Sequence, residues 1–265
     1  MKSLVLSAKF SDATSHFSKH YHDCHEMFFV TSGRARITVG TKEYFVKSGT
    51  LIIISRYEKH SVTIESPDYK RYTLRLAVDF NSENDGDYTL YSVLTNRPQS
   101  FTHAIDVCDM QKKFEALFSR ILYEFEGDDR YRENMLDMLL KEILIELYRK
   151  EPEIFAHPDN QFSRIVHDIQ NRFQKSCNEK YTLQQLSLEY SISTFYLSHL
   201  FKKVTGYAVM SYLLSCRIAN AKRLLKKTDM DVGSIALECG FSDSSNFTRK
   251  FREETGVTPS QFRKM

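Results

Sequence analysis

The segment GFSDSSNFTRKFREETGVTPSQFRK, Gly240–Lys264, decides the fold of the C-terminal part of the chain. It contains the segment FREETG at Phe251–Gly256, and the similar segment FKKVTG occurs at Phe201–Gly206, 50 positions earlier. Both segments begin with Phe followed by a basic residue, and both end in Thr-Gly. A repeat of about 50 residues that holds two short helices and a turn indicates an internal duplication.

The likeness between the two copies continues on the N-terminal side of these segments. Residues 186–193 match residues 235–242 at an offset of 49. In each copy a small residue lets two helices cross closely, and the turn position that follows favours glycine because its φ is positive. The second copy has Gly240 at that turn, and the first has Ser191, which is tolerated at modest cost. Two copies in register predict two helix-turn-helix units, with an ordinary helical bundle as the alternative.

The segment from Tyr181 to Lys264 resembles the DNA-binding domain of AraC/XylS-type transcription regulators, and the stretch from Gly240 onward is its most specific part. The resemblance implies an all-α domain in which one long helix joins two helix-turn-helix units. A single chain would then read two successive major grooves of double-stranded DNA. The resemblance also implies RNA polymerase as a partner.

The second helix of each unit, here called the recognition helix, faces DNA with the side opposite its apolar anchors. The anchors are Leu197 and Phe201 in the first copy and Phe247 and Phe251 in the second. Arg249 is the strongest candidate for base recognition, because a guanidinium can bind guanine O6 and N7 together. The predicted base or groove contacts, placed on the first helix by the resemblance, are Thr194, Phe195, Ser198, His199, Ser244, Ser245, Thr248 and Arg249. The predicted phosphate contacts are Lys202, Lys203, Lys250 and Arg252, with simple solvation as the alternative for each residue.

The charges are unevenly distributed along the 265 residues. Residues 158–265 carry 16 Lys and Arg residues against 10 Asp and Glu residues, whereas residues 1–157 carry 21 against 24. A basic C-terminal part predicts a polyanionic partner there, although a solvated surface has the same composition. Five singly scattered cysteines are typical of reduced thiols in a cytosol. With no signal peptide and no apolar run near the ~20 residues that span a bilayer, we expect a cytoplasmic protein without membrane contact.

The N-terminal part has the alternation of β-strands. In RARITVG, residues 34–40, the apolar Ala, Ile and Val alternate with Arg and Thr, which is the period of a half-buried strand. Similar short stretches follow at regular spacing up to residue 80, separated by turns that contain glycine or serine. Many short strands in succession predict a β-sandwich or β-barrel.

Histidines cluster near the start of this region. The stretch HYHDCHE has the spacing His20-x-His22-x₃-Glu26, and His60 follows after Gly49. This resembles the metal-binding pattern of cupin barrels, except that SGTLIIISRYEKH lacks the usual Pro-x-Gly. AraC-type sensor domains often resemble cupins and bind a sugar or another small effector without metal, so the resemblance favours a polar effector pocket and no cofactor. The predicted pocket residues are His20, His22, Glu26, Arg36 and His60; in the alternative, His20, His22, Glu26 and His60 bind a divalent metal.

From Asp109 onward the apolar period becomes helical. Residues 114–125 and 136–147 each carry an apolar stripe at spacings of three and four, which predicts two amphipathic helices. Their position matches the dimerisation helices of the family and predicts a homodimer, with packing against the chain's own barrel as the alternative. Two prolines and polar residues at 151–161 predict a linker.

These patterns together predict an α+β multidomain protein. The predicted parts are a cupin-like effector-sensing β-barrel at 1–107, a helical dimerisation pair at 108–151, a linker at 152–160 and a tandem helix-turn-helix domain at 161–265. The predicted function is a DNA-binding transcription regulator that a small polar effector controls by shifting the dimer between arrangements. The alternatives are a metal-dependent cupin enzyme fused to a DNA-binding domain, and a ligand-independent regulator with a structural barrel. The effector, the operator and the choice between activation and repression stay open.

Overall fold

A computed structural model describes residues 3–12, 16–77, 88–97, 100–155 and 161–264. The chain divides into two units, Met1–Asp159 and Asn160–Met265. Of the predicted linker, Pro152–Ile154 form a short 3₁₀ turn, and residues 156–160 lie outside the described part.

The first unit is built on two antiparallel β-sheets. Its strands are β1 (Val5–Ser11), β2 (Phe17–His20), β3 (His25–Ser32), β4 (Arg34–Val39), β5 (Lys42–Lys47), β6 (Thr50–Ile54), β7 (His60–Ile64), β8 (Lys70–Leu76) and β9 (Ala104–Asp106). The strand orders are β1-β8-β3-β6-β9 and β2-β7-β4-β5, and apolar side chains such as Phe28 and Ile37 pack between the sheets. Among the described residues the sheets do not close on each other, so the predicted β-barrel is a cupin-like jelly roll of two sheets.

Among its described residues the first unit also has three α-helices, α1 (Tyr88–Thr95), α2 (Gln111–Glu126) and α3 (Arg132–Lys150). Strand β3 is buried on both faces, because Met27 and Phe29 point away from the other sheet into a second core formed with the helices. The ring of Phe29 stacks on that of Phe118 in α2 at 5.3 Å. The predicted helices are therefore present, but the apolar stripe that suggested dimerisation is buried against the chain's own sheet.

The second unit is helical throughout its described residues. Its helices are α4 (Gln161–Lys175), α5 (Leu183–Glu189), α6 (Thr194–Thr205), α7 (Val209–Lys227), α8 (Val232–Glu238), α9 (Ser244–Thr255) and α10 (Pro259–Lys264). Helices α5 and α6 form the first helix-turn-helix unit, α8 and α9 form the second, and α7 joins them. The predicted inward residues Leu197, Phe201, Phe247 and Phe251 are all fully buried. Among the described helices, none is long and apolar enough to cross a membrane.

Candidate DNA-binding surface and effector pocket

The turns of the two helix-turn-helix units have the predicted left-handed residue. Ser191 has a φ of 54°, and Gly240 has a φ of 79°. A Cβ at Gly240 would lie 2.6 Å from the carbonyl oxygen of Asn178 and 2.8 Å from its Cα. Both distances are too short for a side-chain carbon atom. Glycine at the second turn is therefore required by a packed neighbour as well as by φ.

Each recognition helix, α6 and α9, begins at a side-chain cap. Ser193 Oγ accepts the backbone N–H of Tyr196 at 3.1 Å, and Asp243 Oδ1 accepts that of Asn246 at 2.7 Å. Such caps satisfy N–H groups that have no partner within the helix. The caps Ser193 and Asp243 are 50 positions apart, whereas the residues before them match at an offset of 49. The second copy therefore has one additional residue, Ser242, and both recognition helices start at equivalent positions.

The repeated Thr-Gly ends each recognition helix in the same way. Thr205 Oγ1 donates to the carbonyl of Phe201 at 2.7 Å, and Thr255 Oγ1 donates to that of Phe251 at 2.8 Å. The glycine that follows each threonine has a φ near 80°, which is the common left-handed end of a helix. The rings of Phe201 and Tyr212 lie 5.6 Å apart, and the second copy has the equivalent pair at 5.5 Å. The repeated segment is thus a device that ends and anchors the helix.

The predicted DNA contacts lie on the outer faces of α6 and α9. Phe195 is 81% exposed although it is aromatic. The predicted contacts that are exposed are Phe195, His199, Lys202, Lys203, Ser244, Ser245, Arg249 and Arg252. The predicted contacts that are half-buried are Thr194, Ser198, Thr248 and Lys250. On α9 the structure brings five of them around one open groove of about 690 Å³, which is lined by Ser244, Ser245, Thr248, Arg249, Arg252, Glu253 and Thr258. Glu253 and Thr258 were not predicted as part of this surface.

Glu253 holds two of the predicted cationic contacts of α9. Arg249 donates to Glu253 Oε1 at 2.8 Å and to Asn246 Oδ1 at 3.0 Å, and Lys250 donates to Glu253 Oε2 at 2.9 Å. The hydrogen bond from Lys250 lowers the pKa of Glu253, with Arg249 contributing further. These exposed ion pairs are weak individually, and phosphate or base atoms can replace them. The sequence contained the signal, since Glu253 lies four residues after Arg249.

The long helix α7 carries an arginine with a structural role. Arg217 donates from Nε to the carbonyl of Cys177 at 2.8 Å and from a terminal nitrogen to the carbonyl of Glu179 at 2.9 Å. These bonds hold the 177–179 turn, whose Asn178 contacts Gly240. The side chain is directed into its own unit and supports the second turn.

The predicted pocket histidines converge in the first unit. His20 and His60 are cross-strand partners on β2 and β7, and their ring centroids lie 4.4 Å apart. One ring nitrogen from each of His20, His22 and His60 lies within 4.8 Å of the others. His60 is fully buried, whereas His20 and His22 are half-buried, so the group is open to solvent on one side.

Glu26 faces this group from β3. Its Oε2 lies 3.2 Å from His60 Nε2 and 3.6 Å from His22 Nε2. Burial alone would raise the pKa of Glu26, but the bond with His60 and the positive charges around it lower that pKa from 4.5 to about 2. Burial lowers the pKa of His22 to about 4. At neutral pH the pocket therefore combines a carboxylate with an uncharged His22.

Arg36 does not belong to this pocket, so its predicted facing is wrong. It lies on the outer face of β4, while its neighbours Ala35 and Ile37 point into the core. Its guanidinium pairs with Glu65 at 2.8 Å and lies 4.9 Å above the exposed Phe45 ring. The alternation that placed Arg36 opposite the apolar residues was right, but that face is solvent and not a cavity.

Two charged features of the first unit were not predicted. Arg75 on β8 lies directly across from Glu26 and donates from Nε to Glu26 Oε1 at 3.3 Å. Separately, the buried Glu58 forms an ion pair with Arg97 at 2.9 Å and lies 3.2 Å from His103 Nε2. Burial opposes the charge on Glu58, yet Arg97 and His103 hold its pKa well below the usual range. These contacts could not be predicted from the sequence, because the partners are far apart along the chain.

Comparisons with known proteins agree with both halves of this description. Residues 186–265 match the model of a helix-turn-helix domain, and residues 11–74 match that of a cupin domain. The HTH-type transcriptional activator RhaR of Shigella dysenteriae serotype 1 is 24% identical over 253 residues, which cover 93% of this chain and 87% of RhaR. RhaR of Escherichia coli O139:H28 has the same identity and coverage. The chain is a relative of the transcriptional activator RhaR that carries a cupin domain and a helix-turn-helix domain.

Solved structures share this fold over nearly the whole length of the chain. ToxT from Vibrio cholerae matches with a TM-score of 0.64 at 17% identity, over 97% of this chain and 96% of that one. ToxT bound to (E)-4-(8-methylnaphthalen-1-yl)but-3-enoic acid matches with a TM-score of 0.65 at 16% identity, over 97% of each chain. The helix-turn-helix match covers both recognition helices, and the cupin match covers the histidine group.

Proposed function

We propose that this regulator activates transcription by placing α6 and α9 in two successive major grooves of DNA. The observation that carries the proposal is the equivalence of the two helices, whose caps, anchors and exposed faces coincide although their sequences differ. The name of RhaR as a transcriptional activator supports activation as the output. Such an output requires contact with RNA polymerase in the cytoplasm, where we place the protein.

The proposed DNA contacts are the residues predicted from the sequence. Arg249 exchanges its bonds to Glu253 and Asn246 for a guanine, which gives sequence recognition. Lys202 and Lys203 contact phosphates, which gives affinity without recognition. The exposed Phe195 is proposed to make apolar contact in the groove, for example with a thymine methyl group.

The proposed effector site is the group formed by His20, His22, His60 and Glu26. It supports a small polar effector, because the group is half-open to solvent and offers both hydrogen-bond donors and acceptors. We assign it no catalytic role, since the relatives named above are transcription activators.

The proposed homodimer uses a different face of α3 from the one predicted. Met138 and Ile145 lie seven residues apart on one face of α3 and are 64% and 36% exposed, with Tyr148 nearby at 37%. Exposed apolar side chains grouped on one face of a helix are typical of an interface with another chain. Met138→Glu should shift the protein to a monomer in light scattering, whereas Glu133→Gln, a change at an exposed residue on another face of α3, should not. A monomeric wild type would contradict this assignment.

The experiment that tests the regulator proposal is selection of genomic DNA fragments by the full-length protein, followed by sequencing. We expect enrichment of a shared sequence by the wild type and a much weaker enrichment by the double variant Arg249→Ala with His199→Ala, at equal folded fraction by circular dichroism. If the wild type enriched no sequence above the double variant, the proposed function would be wrong.

A further inference from the structure

Strand β8 carries a buried arginine that has no counter-ion among the described residues. Arg71 is 5% exposed, and its guanidinium carbon lies 4.2 Å from the ring centroid of Phe28 on β3 and 4.9 Å from that of Phe17 on β2. Because β3 and β2 belong to different sheets, the guanidinium lies between the two sheets. Its Nε and Nη1 atoms are buried without a hydrogen-bond partner, and no described residue forms an ion pair with it.

The position of Arg71 between the sheets is unfavourable unless an anion binds there. A buried positive charge without a partner has lost its hydration and gained no attraction in return. A guanidinium keeps its charge inside proteins, so loss of a proton does not relieve this cost. The faces of the two phenylalanine rings attract the cation but replace only part of the lost hydration. An anion between the sheets would supply the missing partner.

Tyr69 provides a second unused donor beside Arg71. Its ring centroid lies 5.9 Å from the guanidinium carbon, and the residue is 1% exposed. The two side chains are close, but no hydrogen bond of adequate geometry joins them, and the Tyr69 hydroxyl is buried without a partner. Burial raises the pKa of Tyr69, so at neutral pH the hydroxyl keeps its proton and is not the counter-ion of Arg71. The guanidinium and the hydroxyl can each donate to one oxygen of a carboxylate.

The surroundings of Arg71 favour an organic carboxylate over phosphate or a neutral sugar. One guanidinium balances one negative charge, whereas a phosphate group carries nearly two at neutral pH. The rings of Phe17, Phe28 and Tyr69 all lie within 5.9 Å of the guanidinium carbon, which suits an apolar body better than a set of hydroxyl groups.

A ligand can approach Arg71 from one side of the sandwich. Strands β1 and β2 are edge strands of the two sheets. Arg71 is the register partner of Ser11 on β1 and contacts Phe17 on β2, so it lies close to both edges. Phe17 is only half-buried, and its ring is therefore the part of the cover over Arg71 that solvent reaches.

We propose that the effector of this regulator is an organic acid with one carboxylate, and that Arg71 and Tyr69 bind this carboxylate between the two sheets. The proposal names the class of effector and rests on the regulator function proposed above. The site adjoins the histidine group, because the ring centroids of Phe28 and His60 lie 6.4 Å apart. One ligand can therefore reach both, with its carboxylate at Arg71 and further polar groups at the histidines.

The first arm of the test uses ligand-free protein and does not depend on which acid binds. Full-length protein is freed of small molecules by extensive dialysis, and its melting temperature is measured. Arg71→Met removes the uncompensated charge at similar side-chain length, so we expect the melting temperature to rise by a few degrees. The control Arg36→Met removes an exposed arginine that pairs with Glu65 and should leave it unchanged or slightly lower. A lower melting temperature for Arg71→Met would show that the charge is already compensated, and would overturn the proposal.

The second arm measures carboxylate binding by thermal shift. Full-length protein is screened with acetate, benzoate, cinnamate and octanoate, each at millimolar concentration beside its uncharged amide. We expect at least one acid to raise the melting temperature of the wild type while its amide does not. Arg71→Met should lose this rise, and Arg71→Lys should lose most of it, because lysine keeps the charge but not the planar set of donors. Tyr69→Phe should weaken binding of the same acid by about tenfold.

The controls of this second arm decide whether the binding is specific. Arg36→Met should respond to the acid like the wild type. The proposal would be overturned by an absent response to all of these acids, by an unchanged response in Arg71→Met, or by equal stabilisation with inorganic phosphate or with the amides.

The last arm separates this inference from the proposed function. On a selected DNA fragment, the stabilising acid should change the affinity of the wild type severalfold and leave that of Arg71→Met unchanged. Sequence-specific DNA binding that the acid does not alter overturns its assignment as effector and keeps the regulator. Loss of all specific DNA binding, with or without the acid, overturns the proposed function, whereas the thermal shift still reports on the carboxylate site.

Discussion

The two helix-turn-helix units share a backbone design but meet different demands at their turns. Both turns have a positive φ, 54° at Ser191 and 79° at Gly240. Ser191 is exposed, whereas a Cβ on Gly240 would run into the backbone of Asn178. The left-handed conformation alone therefore does not require glycine at this turn, since Ser191 adopts it. Glycine is required at position 240 because the backbone of Asn178 lies close to it, and of the two turns only that of the second helix-turn-helix unit has such a neighbour.

The recognition helices differ in their electrostatics. The sequence of α6, Thr194–Thr205, contains two lysines and no acidic residue, whereas α9 contains Glu253 and Glu254 beside its three basic residues. Arg249 and Lys250 are held by Glu253. The first helix-turn-helix unit is therefore suited to attract the phosphate backbone of DNA. The second helix-turn-helix unit is suited to exchange its internal ion pairs for contacts with a specific base.

The largest effect should come from the turns. Gly240→Ala introduces both an unfavourable φ and a backbone clash, so we expect a loss of about 2–4 kcal/mol in the free energy of unfolding. The matched change Ser191→Gly should stabilise by no more than about 1 kcal/mol. Chemical denaturation of the full chain, followed by circular dichroism, measures both. Equal effects at the two turns would remove the distinction between them.

The next largest effect should be on base recognition by the second helix-turn-helix unit. Arg249→Ala should cost about 1–3 kcal/mol of discrimination at one base position and leave binding to unrelated DNA almost unchanged. Competition binding on single-base variants of a selected site measures this. If the variant bound such a site as the wild type does, the placement of α9 in the groove would be wrong.

In the first helix-turn-helix unit we expect a smaller effect on DNA affinity, uniform across sequences. Lys202→Ala should weaken binding to every DNA sequence by roughly fivefold at physiological salt and reduce the salt slope by about one. Titrations at several salt concentrations give both quantities. A change confined to one sequence would mean that Lys202 reads a base.

The smallest effect should come from removing the internal partner of Arg249. Glu253→Gln frees Arg249 and Lys250, so we expect roughly twofold tighter DNA binding, which salt diminishes. The matched change Glu254→Gln removes the same charge from the same helix and should have less effect, because Arg249 and Lys250 both bind Glu253. Weaker binding by Glu253→Gln would indicate that the ion pair positions Arg249 for DNA.

The helical half could be predicted closely because its signals are local. Caps, inward phenylalanines and the glycine turn depend on residues a few positions apart, so the buried Phe201 and Phe251 followed from spacing alone. The β-rich half depends on strand pairing across long separations. Alternation separated Arg36 from its apolar neighbours but could not tell solvent from cavity, and the contact of Arg75 with Glu26 spans 49 positions. Likewise the apolar stripe of α3 was visible, but what covers it was not.

The most direct test of two DNA-reading helices in one chain is the layout of the selected site. We expect two short conserved elements per chain, their centres about 10–10.5 base pairs apart, because successive major grooves recur at that distance. His199→Ala should blur one element and Arg249→Ala the other. A single element, or loss of the same element in both variants, would contradict the account.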